Sequence, residues 1–198
     1  MSQPDFLLAN NAAYVAKGEL LPISSAPGDA LFVPKGQVPA EDAPERYAVV
    51  TCMDPRIDPM RALGFDKQPA AIIRNAGGVT YVLDVSAKPQ SIRSPNALIS
   101  ADALRTLIAW QELVHGKEIA VVHHTDCGML RLSTEELHAG PKNIPAGLHL
   151  HEFRDIDEGV RRDVRWLKER VQDGALLKGT NIVGYMLENE TGKLRVVE

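Results

Sequence analysis

Three short, uninterrupted apolar runs stand out from an otherwise mixed pattern of hydrophobic and polar positions. They are YAVVTC from Tyr47, AAIIRN from Ala70 and EIAVVHH from Glu118. Each run is rich in β-branched residues and too short for a helix, which is typical of strands buried on both faces. Such strands occur mainly in parallel sheets that are covered by helices, so the pattern predicts a sheet of this kind.

Helical periodicity fills the chain between and after these runs. Ser94–Pro95 reads as an N-cap followed by proline at the first helical position, and apolar residues then recur every three or four positions as far as Gly116. A second periodic stretch predicts a helix from about residue 152 to residue 172. Ser133 and Glu136 have capping-box spacing and predict a short helix between the two.

The two ends of the chain have patterns of their own. Residues 5–17 carry a helical pattern that ends at Gly18, and the stretch over 22–44 is rich in proline and glycine. Near the other end, NIVGYMLE and KLRVV flank the turn residues 189–192, which predicts a β-hairpin.

Together these elements predict a single α/β domain over residues 1–198. Its mainly parallel central sheet is flanked by helices, and three strands with helices between them favour this class over others. Residues 1–44 form an N-terminal helical arm with a proline-rich connector, and residues 45–198 form the core that ends in the hairpin.

Composition then excludes several classes of partner. The 198 residues carry a net charge of −4, which gives no electrostatic reason to expect nucleic acid or an anionic membrane. No apolar run approaches the ~20 residues that cross a bilayer, and the first residues lack the pattern of a secretory signal. Two cysteines are too few for a disulfide scaffold, so we expect a cytoplasmic protein.

Both cysteines follow predicted strands. Cys52 ends the first apolar run, and Cys127 lies just past the third, three residues after His124. Because ligand sites lie outside the carboxyl ends of parallel strands, we expect these three side chains at one edge of the sheet. Two thiolates and one imidazole suit zinc, and three protein ligands leave the fourth position of a catalytic site. On spacing alone, the alternative that each cysteine is a small buried hydrophobe stays open.

Other residues with chemical potential lie close to these strand ends. Asp54 and Arg56 stand two apart in a loop, where an ion pair lowers the pKa of the carboxyl group and leaves an acceptor beside the metal. The alternative is a loop ion pair of little energetic weight. Gly77 and Gly78 in RNAGG allow a small ligand to approach the backbone closely, or else form a plain turn.

The remaining candidates have weaker signals. His123 adjoins His124 in a strand, so its side chain points to the opposite face, where it either packs or supports a metal ligand by a hydrogen bond. His149 and His151 form an HxH pair that we place in a surface loop rather than at a metal. Asp126, between two predicted ligands, is either a hydrogen-bond acceptor for them or a turn residue.

The motifs CMDPRID, RNAGG and HHTDCGM, in this order and at strand ends, resemble those of the β-class carbonic anhydrases, nearest to their small microbial and fungal branch. The resemblance covers roughly Tyr47 to the C-terminus. It implies one zinc ion per chain, held by Cys52, His124 and Cys127, with Asp54 and Arg56 as the neighbouring dyad.

The same resemblance implies the function. It is the reversible hydration of CO2 to bicarbonate by a zinc-bound hydroxide, which Asp54 orients. It also implies a homodimer, or a dimer of dimers, in which the N-terminal helices pack on the partner.

The chain departs from the family pattern at Pro55 and over residues 79–99, where it carries extra residues near the predicted site. Carbonyl sulfide and carbon disulfide hydrolases resemble the same fold and ligands, so COS or CS2 is the alternative substrate. A third hypothesis is a non-catalytic zinc protein in which Asp54 occupies the fourth position.

Overall fold

The computed structural model describes residues 8, 11–13, 15–17, 45–65, 70–80, 102–145 and 147–197. The chain divides into two compact units, residues 1–32 and 33–198. In the first unit the described residues are all helical and exposed, as the pattern over 5–17 predicts. The predicted boundary at residue 44 lies outside the described residues and stays a prediction.

The second unit is built on a five-stranded sheet in the order β2-β1-β3-β4-β5. Its strands are β1 (Tyr47–Cys52), β2 (Ala70–Asn75), β3 (Glu118–His124), β4 (Asn181–Leu187) and β5 (Leu194–Val197). Strands β1 to β4 pair in parallel, and β5 returns antiparallel to β4. The three apolar runs are therefore strands over their whole length, and the C-terminal hairpin is confirmed.

In the second unit four α-helices are described: α1 (Pro59–Ala62), α2 (Asp102–Val114), α3 (Thr134–Ala139) and α4 (Ile156–Gln172). The capping box is confirmed, because the Ser133 hydroxyl accepts a hydrogen bond from the Glu136 N–H. Helix α4 begins four residues later than predicted, where Asp155 accepts from the Glu158 N–H and so caps it. No helix in the described part of the chain has the length and apolarity to cross a membrane.

The two faces of the sheet are covered differently. One face packs Val50 and Val121 against Leu107 of α2 and Leu167 of α4, and all four side chains are fully buried. The other face packs its strand residues against side chains from loops and short elements. That second core contains Val49, Cys52, Val122, Cys127, Met129, Phe153 and Leu187. Both cysteines therefore lie on the face of the sheet opposite α2 and α4.

The predicted insertion over residues 79–99 is described only at its first two positions. Thr80 is buried, and its N–H donates to Asp163 Oδ1 of α4 at 2.9 Å. The start of the insertion is thereby tied to the helical face. Its predicted effect on access to the site, like the predicted N-cap at Ser94–Pro95, falls outside the described residues.

Candidate metal centre

Cys52, His124 and Cys127 meet at one point at the carboxyl ends of β1 and β3. Each offers a ligand atom that lies within 4.8 Å of the other two, and the two Sγ atoms are 3.9 Å apart. All three side chains are buried, with exposed fractions of 4%, 0% and 1%. The parallel pairing of β1 with β3 thus brings together two thiols that stand 75 positions apart.

The imidazole of His124 is oriented through a contact of its Nδ1 atom. Nδ1 lies 2.8 Å from the carbonyl oxygen of Thr125. A proton on Nδ1 donates to that oxygen, which leaves the lone pair on Nε2. Nε2 is buried and has no hydrogen-bond partner among the described residues. Because buried polar atoms are normally satisfied, this nitrogen fits a metal ligand.

The two thiols differ in how readily they ionise. A hydrogen bond from Cys127 lowers the pKa of Cys52, and the backbone N–H groups of Asp54 and Gly77 add to that effect. The Gly77 nitrogen lies 3.4 Å from Cys52 Sγ. The same hydrogen bond, followed by burial, raises the pKa of Cys127. Two thiolates this close repel each other, so both are stable together only with a cation between them. Binding of a metal ion would therefore release the second proton.

The spacing of the donors fits zinc. Two sulfurs bound to a tetrahedral zinc ion at ~2.3 Å each lie about 3.8 Å apart, and the two Sγ atoms are 3.9 Å apart. Two thiolates with one imidazole are also a donor set that zinc prefers. The residues present therefore fit one zinc ion per chain.

Asp54 and Arg56 form a tight pair next to this group. Arg56 Nη2 donates to Asp54 Oδ2 at 2.6 Å, and Arg56 Nε donates to Oδ1 at 2.9 Å. These side-chain hydrogen bonds, with a further one from the Arg56 backbone, hold the pKa of Asp54 well below its usual range. Asp54 Oδ2 also lies 3.8 Å from His124 Nε2, so the ionised carboxylate borders the metal group.

Asp126 anchors the far side of the Arg56 guanidinium. Arg56 Nη1 donates to Asp126 Oδ2 at 2.8 Å, and Nη2 donates to the Asp126 carbonyl at 2.9 Å. Arg131 in turn donates to Asp126 Oδ1 at 2.5 Å. Asp126 also has a positive φ of 51°, so it is both a turn residue and an acceptor. Its partner is the arginine of the dyad, 70 positions away, which sequence spacing does not reveal.

Arg74 holds the loop that carries Cys52 and Asp54, a role that was not predicted from the sequence. Its Nε donates to the carbonyl of Cys52 at 2.9 Å, and its Nη2 donates to the carbonyl of Asp54 at 2.7 Å. It therefore fixes the backbone on both sides of Met53. Its position in the RNAGG motif, at the carboxyl end of β2, was the available signal.

Gly77 and Gly78 lie against β1. Both have positive φ values, 86° and 69°. A Cβ at Gly78 would lie 2.8 Å from the Cys52 nitrogen and 2.8 Å from the Thr51 carbonyl carbon. The close approach that Gly78 allows is thus to the strand that carries Cys52, whereas a Cβ at Gly77 would meet the side chains of Met129 and Phe153. Their predicted place in a substrate pocket stays a prediction.

The other histidines lie outside the metal group. His123 points to the opposite face from His124, as predicted, where Nε2 lies 3.2 Å from the buried Asp163 Oδ2. The ring stacks on Phe153 with centroids 5.1 Å apart. His149 is exposed, but the expectation of a surface position is wrong for His151, which is only 8% exposed. Burial also lowers the pKa of His151.

Comparison with known sequences identifies relatives across most of the chain. β-Carbonic anhydrase 1 of Mycobacterium tuberculosis is 30% identical over 166 residues, which cover 82% of this chain and 88% of that protein. A carbon disulfide hydrolase of Saccharolobus solfataricus is 34% identical over 176 residues, covering 76% of each chain. No family model matches the chain.

Solved structures agree with this relationship. The carbonic anhydrase of Streptococcus mutans superposes with a TM-score of 0.68 at 31% identity, covering 100% of this chain and 99% of the other. The carbonic anhydrase of Glaciozyma antarctica gives a TM-score of 0.66 at 35% identity, with 96% and 95% covered. At 30% identity over 82% of the chain, with solved carbonic anhydrases of the same fold, the chain belongs to the β-carbonic anhydrase family.

Proposed function

We propose that this protein is a zinc enzyme that reversibly hydrates CO2 to bicarbonate. The observation that carries the proposal is the buried Cys52–His124–Cys127 group with the ionised Asp54 carboxylate at its border. The names of the relatives from Mycobacterium tuberculosis and Streptococcus mutans, both carbonic anhydrases, support the same reaction.

The Asp54–Arg56 dyad is suited to orient a nucleophile bound at the metal. Zinc, when bound, lowers the pKa of a water molecule so that a hydroxide nucleophile forms near neutral pH. The ionised Asp54 can only accept hydrogen bonds, so it would accept a hydrogen bond from the O–H of the nucleophile and leave an oxygen lone pair directed at the carbon of CO2. Arg56 keeps Asp54 ionised and in place, while Asp126 holds Arg56 from its other side.

The contacts of Asp54 favour catalysis over a closed, structural zinc site. Its two carboxylate oxygens accept three hydrogen bonds from the side chain of Arg56. Movement of the carboxylate onto the metal would break this bidentate, charge-assisted pair. We therefore propose that the fourth position is open to water and substrate.

Hydrolysis of carbon disulfide or carbonyl sulfide is the second candidate. The carbon disulfide hydrolase of Saccharolobus solfataricus, 34% identical, supports it. COS and CS2 are linear and small like CO2, so the same nucleophile and dyad can attack them. Pocket shape then decides between the substrates.

We also propose a cytoplasmic protein that forms a homodimer or a dimer of dimers through its N-terminal arm. Two free thiols 3.9 Å apart must stay reduced to bind a metal, which fits a reducing compartment. In the arm, the helical residues Leu8 and Val15 are seven positions apart and are 68% and 54% exposed. Apolar side chains at this spacing share one helix face, which a partner subunit can cover.

The choice of substrate is tested on the zinc-loaded protein. Stopped-flow measurement with a pH indicator should show CO2 hydration well above background, and COS and CS2 hydrolysis should be slower. The Cys127→Ser variant, with its metal group broken, is the control for metal-independent rates. Hydration at background together with rapid COS or CS2 hydrolysis would replace the proposed reaction with the second candidate.

Removal of any one of the three ligands should remove the metal. Cys52→Ser, Cys127→Ser and His124→Ala are expected to lose most of about one zinc per chain, because two remaining ligands no longer hold the ion. Elemental analysis after dialysis measures this, with circular dichroism to confirm the fold. The exposed His149 provides the control, and His149→Ala should keep its zinc. Full zinc content in either cysteine variant contradicts the ligand assignment.

Loss of the dyad should separate activity from metal content. Asp54→Asn and Arg56→Ala are expected to keep zinc and lose about 10–1000-fold in kcat/KM, the usual size of a positioning or electrostatic contribution. Arg61→Ala is the matched control, since this arginine of α1 lines the same cleft as Arg56 without touching Asp54. Wild-type rates in zinc-loaded Asp54→Asn would show that the dyad does not orient the nucleophile.

The arm is tested by deletion of residues 1–40. The shortened chain should run as a monomer or aggregate, because it lacks the apolar helix face that we expect to pack on the partner subunit. Light scattering on the full-length and shortened chains measures the change. An unchanged oligomer after the deletion would contradict the role of the arm.

A further inference from the structure

The C-terminal hairpin binds every backbone and side-chain polar group of Thr125, the residue that follows His124, through the last residue of β4 and the turn after it. The Thr125 N–H donates to the carbonyl of Leu187 at 3.0 Å. Its hydroxyl accepts from the Asn189 N–H at 2.9 Å and donates to Glu190 Oε2 at 2.8 Å. Its carbonyl accepts from Asn189 Nδ2 at 3.0 Å. Three of these hydrogen bonds join the β4–β5 turn to the metal-ligand loop, and the fourth joins the end of β4 to it.

The carbonyl held in this way is also the partner of the His124 ring. Nδ1 lies 2.8 Å from Thr125 O, and Asn189 Nδ2 lies 3.0 Å from Nδ1. With its proton on Nδ1, the ring donates to a carbonyl whose second lone pair is taken by the Asn189 amide. The shared carbonyl limits rotation of the ring, and a proton on Nδ1 leaves the unpartnered Nε2 as the atom that can bind a metal.

The sheet places the hairpin turn at this point. Strand β4 pairs in parallel with β3 so that Leu187 stands opposite His124. The chain then turns over residues 188–193 before β5 begins, directly beside the loop from His124 to Cys127. A turn that would otherwise only connect β4 to the edge strand β5 therefore contacts the metal group.

We propose that Asn189 is a positioning residue for His124, and that the C-terminal hairpin acts through it to hold the imidazole for zinc. The inference rests on the metal site proposed above and adds a residue that belongs to neither the ligands nor the dyad. Loss of such an outer hydrogen-bond partner typically costs about 10–100-fold in metal affinity or activity.

The test compares two substitutions at Asn189 with one elsewhere in the same turn. Asn189→Ala removes the amide, and Asn189→Asp keeps its shape but presents only acceptors to the Thr125 carbonyl. Thr191→Ala is the matched control, because the Thr191 hydroxyl donates to Glu188 and accepts from the Lys193 N–H rather than contacting Thr125. The readouts are the rate of zinc release to a chelator and the visible spectrum of the Co2+-substituted protein.

Both Asn189 variants are expected to release zinc about tenfold faster than the wild type and to shift the Co2+ bands. Thr191→Ala should match the wild type in both measurements. Release rates within about twofold of wild type and unshifted spectra in both Asn189 variants would overturn the proposal. Equal acceleration in Thr191→Ala would also overturn it, since the effect would then come from a loosened turn.

The failure of this proposal is distinguishable from failure of the proposed reaction. A wild-type protein that binds zinc and cobalt but does not hydrate CO2 overturns only the reaction, and the metal readouts still decide the role of Asn189. A wild-type protein that takes up neither ion overturns the metal site and the role of Asn189 together.

Discussion

The parallel pairing of β1 with β3 is the constraint on which the metal centre depends. Cys52 ends β1 and Cys127 lies three residues beyond β3 at the same edge, so this pairing brings two buried Sγ atoms to 3.9 Å across 75 positions of sequence. Ionisation of both buried thiols at this distance is energetically unfavourable unless a cation offsets their charge. The fold thus creates a site whose two sulfurs and one imidazole are stable together when a divalent ion neutralises them.

Acidic and basic side chains alternate from the metal group outward. Asp54 borders the group, Arg56 holds Asp54, Asp126 holds Arg56, and Arg131 holds Asp126. Individual exposed ion pairs contribute little to stability. Their value here is geometric, because a bidentate arginine bound on two sides leaves the carboxylate one orientation toward the nucleophile.

The strands and the three metal-group residues were predictable because their signals are local. β-Branched runs identify β1 and β3, and the ends of those strands locate Cys52 and Cys127. The contacts of Asp126, Arg74 and Asn189 were not predictable, since each depends on a partner brought near by sheet pairing. The start of α4 was misplaced for a similar reason: hydrophobic periodicity extends beyond the residue, Asp155, that caps the helix.

The most direct test of the central claim is a crystal structure of the zinc-loaded protein with anomalous diffraction at the zinc edge. One peak per chain is expected, bound by Cys52, His124 and Cys127, with Asp54 still paired to Arg56. A peak at another place, or an Asp54 carboxylate that has left Arg56 to bind the metal, would contradict it.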